Sequence, residues 1–183
     1  MATIKKSTEA PFLKEGEAFT KDKLIQFIKD KETYSKKAYW DIDHYTYGFG
    51  TKAPGPKATI TYAKAEEALL KEIDTSEKFV RNFAKVKGYD WNDSQVYSLV
   101  DFHFNTKPGN WSTLTGKGTR TTDEIAEALP QYNLVDGKFN QGIQNRSWQR
   151  HLAFTTPTET NSLQNFAGAP QEQPPQATTP VAP

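Results

Sequence analysis

The sequence contains no cysteine. This absence excludes thiol catalysis, cysteine-ligated metal sites and a disulfide framework. Long apolar runs are also missing: residues 1–14 contain no hydrophobic stretch of the kind found in signal peptides, and apolar clusters elsewhere are only a few residues long. We therefore expect no membrane-spanning segment and no export signal, with synthesis in the cytoplasm of the producing cell.

An excess of charge of one sign is lacking as well, because 23 Lys and Arg residues face 22 Asp and Glu residues, for a net charge of +1. A nucleic-acid-binding domain would need a basic stripe, so we expect no nucleic-acid partner. No paired spacing such as H-E-x-x-H is present, and we expect no metal and no cofactor. The three histidines, His44, His103 and His151, are expected to be surface or hydrogen-bonded core residues.

The pattern of apolar residues predicts an α+β domain. A helix capped near Thr20 is expected to end near Lys31, and short antiparallel strands are expected from Tyr39 to Phe49. A long helix should follow Thr61, with an interruption around residues 74–76. A further helix is predicted around Val96–Phe104, and Pro108-Gly109-Asn110 should end it. A short helix is predicted after a cap at Thr122, and a last helix from about Ile143 to Phe154.

The ends of the chain differ in composition from its middle. Residues 157–183 are rich in Pro, Gln and Thr and offer almost nothing to bury, so this segment cannot offset the entropy of ordering on its own. We divide the chain into an N-terminal extension (1–19), a catalytic domain (20–156) and a C-terminal tail (157–183). The tail is either idle or a docking peptide for another protein.

One segment has the residues of a reaction centre. Glu32 stands at the predicted end of the first helix, Asp41 lies in an aromatic-rich turn, and Thr46-Tyr47-Gly48-Phe49-Gly50 follows. Hydrolysis of a glycosidic bond needs one protonated acid for the leaving oxygen and one ionised carboxylate on the opposite side. Glu32 packed against Tyr34 or Phe104 would have the raised pKa of the acid. Taken singly, the two residues are also typical of a helix end and a turn.

These residues resemble the active-site segment of phage-type lysozymes, the glycoside hydrolase family 24 muramidases, whose pattern is a catalytic Glu, then Tyr-x-Asp, then Thr-Ile-Gly-x-Gly. The resemblance extends from about Leu24 to Phe154. It is carried further by Thr59-Ile60-Thr61, Ala65-Glu66-Glu67-Ala68-Leu69-Leu70, Phe102-His103-Phe104-Asn105, Trp111-Ser112-Thr113-Leu114 and Gly142-Ile143-Gln144-Asn145-Arg146. It implies a lysozyme-like fold, in which a long helix joins a small sheet-containing lobe to a larger helical lobe and the cleft lies between them.

The resemblance also implies roles for individual residues. Glu32 would be the general acid, Asp41 the carboxylate that positions or activates water, and Thr46 the hydroxyl that helps to hold this water. Phe104, Asn105 and Thr113 would contact the substrate, although the helical spacing of Phe104 is also typical of a core residue. Arg146 would hold the last helix in place.

The sequence departs from the family pattern at three places. Thr33 stands where glycine usually follows the catalytic Glu, Thr51 replaces the histidine after Gly-x-Gly, and the turn at residues 42–44 lacks glycine. The altered turn allows a shifted register in which Asp43 rather than Asp41 faces the cleft.

The resemblance implies a muramidase that cleaves the β-1,4 bond between N-acetylmuramic acid and N-acetylglucosamine, with inversion if Asp41 works through water. Its substrate would be bacterial peptidoglycan in the periplasmic wall. The protein would be either an endolysin or a virion-associated lysozyme whose tail binds phage virion or tail proteins. Two alternatives stay open: an inactive glycan-binding or structural virion protein, and a lytic transglycosylase or an enzyme acting on chitin-like glycans.

Overall fold

The computed structural model describes residues 11–14, 16–41 and 43–156. The predicted tail and residues 1–10 of the predicted extension lie outside the described residues. The elements in chain order are α1 (Lys21–Glu32), β1 (Ser35–Asp41), β2 (His44–Gly48), β3 (Thr51–Lys52), α2 (Tyr62–Lys87), α3 (Asp93–Asn105), α4 (Pro108–Thr115), a 3-10 turn (Gly116–Gly118), α5 (Thr122–Ala128), a second 3-10 turn (Leu129–Gln131), β4 (Leu134–Val135), β5 (Lys138–Phe139) and α6 (Gln141–Thr155).

The small lobe is an antiparallel sheet in the order β1-β2-β3. In the hairpin of β1 and β2, Tyr39 lies opposite Thr46 and Trp40 lies opposite Tyr45. The other edge of β1 pairs with the chain just before α2, where the Ile60 amide donates to the Lys36 carbonyl at 3.0 Å. The sheet is therefore tied on one side to the start of the long helix.

The 26-residue helix α2 joins the sheet lobe to the helical lobe. It begins after Thr61, whose side chain caps it, and ends at Gly88 in a left-handed conformation. The predicted interruption around residues 74–76 is wrong. The Thr75 hydroxyl donates to the Lys71 carbonyl within the helix and Ser76 is buried, so both hydroxyl residues fit a continuous helix.

The core of the helical lobe surrounds α3, which packs between α2 and α6. Leu99, Val100 and Phe102 of α3 are fully buried. Each such side chain contributes about 1.5–3 kcal/mol through the removal of apolar surface from water. The helix is fixed at its start by a capping box, in which Asn92 and Gln95 each accept the other's backbone amide.

The chain just before α1 packs onto this lobe. Phe19 is buried, and its amide donates to the Ser94 hydroxyl of α3 at 2.9 Å. The Phe12 amide donates to the Gln149 side chain of α6 at 2.9 Å. The rings of Phe12, Phe19 and Phe27 contact one another. The folded unit therefore includes side chains from residues 11–19, which the sequence assigned to the extension.

Three local predictions differ from the structure. Pro108 does not end a helix but begins α4, because proline at the first helical position loses no hydrogen bond. Thr121 rather than Thr122 caps α5. The hairpin of β4 and β5 was not predicted, since its strands are only two residues long. Among the described residues, no helix is long and apolar enough to cross a membrane.

Candidate active site

Glu32 is the last residue of α1, where the helix meets the sheet lobe. The helix ends there because Thr33 adopts a φ of 48°, which breaks the helical conformation. The Thr33 amide still donates to the Lys29 carbonyl at 3.3 Å. The glutamate side chain is thus presented at the junction of the two lobes, with 23% of its surface exposed.

The two oxygens of the Glu32 carboxylate have different surroundings. Oε1 accepts from Nη1 of Arg146 at 2.6 Å and from the Asn105 amide at 3.4 Å. Oε2 makes no hydrogen bond to a described residue and points toward Gly50, where a Cβ atom would stand 3.8 Å away. One oxygen is therefore held by the helical lobe, while the other faces the sheet lobe.

Asp101 of α3 lies behind this pair and is fully buried. It accepts two hydrogen bonds from Arg146, at 2.7 and 3.1 Å, and one from Arg150 at 2.6 Å. Burial alone would raise the pKa of Asp101, but the charges of Arg146 and Arg150 outweigh it and hold this pKa at about 2. Arg150 also donates to the Asn105 side chain at 3.1 Å. The network fixes both side chains that bind Glu32.

Sequence reasoning gave Arg146 a structural role and missed both its contact with Glu32 and the part of Asp101 and Arg150. A signal was present, because Arg146 and Arg150 are four residues apart and share one face of a helix. Asp101 stands between the apolar residues Val100 and Phe102 in a segment that was predicted to be buried. A buried carboxylate requires cationic partners, and these two arginines supply them.

Asp41 is the last residue of β1 and lies opposite His44 in the hairpin. Asp43 is in the turn, where its carboxylate is 82% exposed and contacts the His44 ring at 2.5 Å. This hydrogen bond lowers the pKa of Asp43. Because side chains alternate along a strand, Asp41 shares a face of β1 with Tyr39. Asp41 thus lies on the face of the strand that carries Tyr39, whereas Asp43 lies in the turn with its carboxylate largely in solvent.

Tyr39 and Thr46 lie opposite each other on the face of the hairpin that carries Asp41. Thr46 is buried, and its hydroxyl has no hydrogen-bond partner among the described residues. Burial, followed by the charges of Asp41 and Glu32, raises the pKa of the Tyr39 phenol. Tyr39, Thr46 and Asp41 therefore share one face of the hairpin, and the charge of Glu32 acts on the same phenol.

The two glycines after Thr46 are needed for this approach of the sheet to the helices. Gly48 has a φ of 64°, and a Cβ atom there would stand 2.9 Å from the Cβ atom of Ala65 in α2. Gly50 has a φ of 96° and lies next to Glu32. Both conformations are ones that other residues rarely adopt. The Gly-x-Gly pattern thus allows the sheet to pack on α2 and leaves room beside the acid.

The structure gives a physical account of two departures from the family pattern. Thr33 has a positive φ of 48°, which glycine adopts freely and a β-branched residue adopts only with strain. Thr51 lies in β3 near Glu72 of α2. Burial raises the pKa of Glu72, and the buried Thr51 hydroxyl makes no hydrogen bond to a described residue.

The three predicted substrate contacts differ in their position relative to Glu32. Asn105 binds Glu32 directly. Phe104 is partly buried and packs against the core. Thr113 is exposed on α4, and its hydroxyl donates to the Gly109 carbonyl within that helix at 3.2 Å. The structure joins Asn105 to the catalytic group, and the substrate roles of all three residues stay predictions.

The side chain expected to surround Glu32 packs elsewhere. Tyr34 contacts the rings of Phe49 and Tyr62, and its hydroxyl donates to the Ile60 carbonyl at 2.7 Å. The immediate partners of Glu32 are instead the polar side chains Arg146 and Asn105. The sequence could not reveal that Glu32 forms an ion pair with Arg146 instead of packing against an aromatic ring.

Two of the histidines have structural partners. The ring of His103 stacks on Phe79 at 4.3 Å and contacts the Ser76 hydroxyl at 3.0 Å, and burial lowers the pKa of His103. His151 contacts the Ala126 carbonyl at 2.8 Å. Within the part of the chain that the structure describes, no three His, Asp or Glu residues are grouped so that they could hold a metal ion.

Comparison with known proteins gives a consistent picture. The phage lysozyme family profile matches residues 29–150, which is more than half of the chain. The endolysin of Bacillus phage PZA is 30% identical over 145 residues, covering 75% of this chain and 55% of the relative. The chain thus spans only about half the length of that relative.

Two solved structures share the fold. The muramidase domain of SpmX from Asticaccaulis excentricus superposes with a TM-score of 0.64 at 18% identity, covering 77% of this chain and 100% of that domain. The active form of P1 phage endolysin Lyz superposes with a TM-score of 0.61 at 15% identity, covering 75% of this chain and 85% of the other. The predicted α+β, lysozyme-like fold is therefore confirmed, and the chain belongs to the phage lysozyme family.

Proposed function

We propose that this protein is a muramidase that hydrolyses the β-1,4 bond between N-acetylmuramic acid and N-acetylglucosamine in bacterial peptidoglycan. The observation that carries the proposal is the Glu32 carboxylate at the junction of the two lobes. Glu32 is held at one oxygen by Arg146 and Asn105, and its other oxygen lies near Gly50, just after the hairpin that carries Asp41 and the unpartnered hydroxyl of Thr46. Family membership and the lysozyme-like fold support the same reaction.

Glu32 is the general acid of the proposed mechanism. Its Oε1 oxygen stays bound to Arg146 while Oε2, which faces the sheet lobe, donates a proton to the glycosidic oxygen as the bond breaks. The ion pair fixes the orientation of the carboxyl group before substrate binds. A group that is positioned in advance loses less entropy in the transition state.

Asp41 and Thr46 supply the second half of the reaction. Asp41 accepts a proton from the attacking water, and the Thr46 hydroxyl provides the hydrogen bond that holds this water. A buried hydroxyl without a protein partner is a natural site for an ordered water molecule. Water attack from the face opposite the leaving group inverts the anomeric carbon, as expected for carboxyl groups about 6.5–9.5 Å apart. No cofactor takes part in this scheme.

The test is the release of reducing ends from purified peptidoglycan, with turbidity loss measured in parallel. We expect Glu32→Gln and Asp41→Asn each to lower the rate by about 100-fold or more, the usual contribution of a general acid or base. Asp43→Asn is the matched control for the hairpin, because its carboxylate points to solvent. Glu67→Gln, on the exposed surface of α2, is the control for loss of a glutamate.

The products of the reaction distinguish the proposed function from its alternatives. Reducing ends with the inverted configuration support the inverting muramidase, whereas retained configuration would replace inversion by a covalent intermediate. Products with an anhydro end would identify a lytic transglycosylase. Binding of the wall without release of ends, with Asp43→Asn and wild type alike, would reject catalysis in favour of a glycan-binding or structural protein.

The setting of this activity is a separate proposal. We assign the protein to a bacteriophage, either as an endolysin or as a virion-associated lysozyme that binds virion or tail proteins through residues 157–183. Deletion of residues 157–183 should abolish incorporation into phage particles if this segment docks there, while activity on purified peptidoglycan is retained. Unchanged incorporation would reject the docking role.

A further inference from the structure

Tyr39 is a side chain of the site that the proposed mechanism does not use. It lies opposite Thr46 in the hairpin and two residues before Asp41, so strand alternation places all three on one face. The residue is 44% exposed, so part of its side chain is accessible from outside the protein.

The next residue, Trp40, shows that the two faces of β1 differ. Trp40 lies opposite Tyr45, and the two rings meet edge to face with centroids 5.1 Å apart. This pair occupies the face turned away from Asp41 and Thr46. Tyr39 and Tyr45 are therefore two tyrosines of one hairpin, of which only Tyr39 is on the side of the carboxylates.

The electrostatic surroundings of Tyr39 support this placement. Burial and the negative charges of Asp41 and Glu32 raise the pKa of its phenol, so the hydroxyl stays protonated at neutral pH. The hydroxyl makes no hydrogen bond to another described residue. It is a neutral donor on the face of the hairpin that carries Asp41, and its donor is available to a bound ligand.

We propose that Tyr39 is a substrate-binding residue, whose hydroxyl donates a hydrogen bond to the sugar bound between Glu32 and Asp41 and whose ring covers the apolar face of that sugar. A sugar ring presents hydroxyl and acetamido oxygens at its edge and C–H groups on its faces. A tyrosine meets both requirements, because it combines an apolar ring with a polar tip. This inference rests on the proposed function, since it concerns the same glycan.

The first experiment measures binding of a soluble tetrasaccharide fragment of peptidoglycan by titration calorimetry. Glu32→Gln serves as the background that keeps the ligand intact. Adding Tyr39→Phe should weaken binding about 3- to 10-fold, the effect of losing one neutral hydrogen bond. Adding Tyr39→Ala should weaken it further, because the ring contact is also lost. Tyr45→Phe, the matched change on the opposite face, should leave binding unchanged.

The second experiment requires no substrate. With tyrosine labelled by 13C at Cζ, NMR titration should show the Tyr39 pKa falling in Asp41→Asn and in Glu32→Gln. A Tyr39 pKa that is equal in all three proteins would overturn the placement of this phenol near the carboxylates.

The outcomes distinguish the inference from the proposed function. If the wild type cleaves peptidoglycan but Tyr39→Phe and Tyr39→Ala bind the tetrasaccharide as tightly as their parent, the role of Tyr39 is rejected and the muramidase function stands. If the Glu32→Gln parent does not bind the tetrasaccharide and the wild type releases no reducing ends, both fall together.

Discussion

The two halves of the candidate site are built in opposite ways. On the helical side, Glu32 is bound by Arg146, which is itself held by the fully buried Asp101. On the sheet side, Asp41 is exposed at the end of a strand, next to a turn that contacts solvent. One carboxylate is fixed by a charged network in the protein interior, and the other is carried by a hairpin of a three-stranded sheet.

The difference concerns how each of the two carboxylates is held in place. A buried ion network has to overcome the desolvation of its charges, so it is weak evidence for extra stability, but it holds its members in one geometry. An exposed carboxylate has no such restraint and stays in contact with water, which is its partner in the proposed reaction. In the proposed mechanism the acid is thus held by the protein, whereas the base stays open to solvent.

The largest expected difference in stability between the two halves comes from substitution of Asp101. Asp101→Asn leaves Arg146 and Arg150 buried with one fewer negative charge, and we expect it to lower the free energy of unfolding by about 3–5 kcal/mol. Denaturant unfolding followed by circular dichroism measures this loss. Asp43→Asn should change the same quantity by less than about 0.5 kcal/mol because its carboxylate is exposed. Equal effects of the two changes would contradict the division between the halves.

Acid unfolding should also show the contribution of the buried Asp101 to stability. The pKa of Asp101 is lowered from 3.8 to about 2 in the folded protein, so its stabilising contribution is complete above pH 4 and lost as the pH falls toward 2. The contribution is on the order of 2 kcal/mol. Stability measured between pH 5 and 2 should fall more steeply in the wild type than in Asp101→Asn. Parallel curves would show that other carboxylates dominate the acid transition.

The smallest expected effect concerns the junction between the halves. Thr33→Gly should raise the free energy of unfolding by about 1 kcal/mol, because relief of the strained φ of 48° exceeds the entropic cost of glycine. Thermal unfolding checks the direction. Thr106→Gly is the control, since Thr106 has an ordinary φ of −120° and should only lose stability. A loss in Thr33→Gly would mean that the threonine side chain stabilises the end of α1.

Much of the fold follows from local sequence patterns. The apolar positions of α1 and of most of α2, the cap Thr20, the start of α2 after Thr61 and the glycines of the hairpin each depend on a few residues, and the structure has them as predicted. The errors occurred where the local signal was ambiguous. Pro108 both ends helices and begins them, and β4 and β5 are too short for a period to be seen.

In the candidate site, too, some residues could be identified from the sequence and others only from the structure. Glu32, Asp41 and Thr46 stand within fifteen residues of one another, and their spacing identified them before any contact was known. Arg146 lies 114 residues from Glu32 in the chain, and their ion pair could not be derived from spacing. From the sequence, Tyr39 could be recognised only as part of a motif. Its place on the same face as Asp41 became known from the register of the hairpin, and the effect of both carboxylates on its pKa from the structure.

The sequence by itself determined the residue types of the reaction centre, the elements that carry them and the family to which they point. These properties are local, since they depend on side-chain chemistry and on hydrogen bonds between near neighbours. Only the tertiary structure decided which oxygen of Glu32 is free, that Asp101 and Arg150 support Arg146, and that Asp41 rather than Asp43 shares a face with Tyr39. These features depend on the packing of α3 against α1, on the ion pair between α6 and α1 and on one strand register, which are long-range contacts that no local pattern encodes.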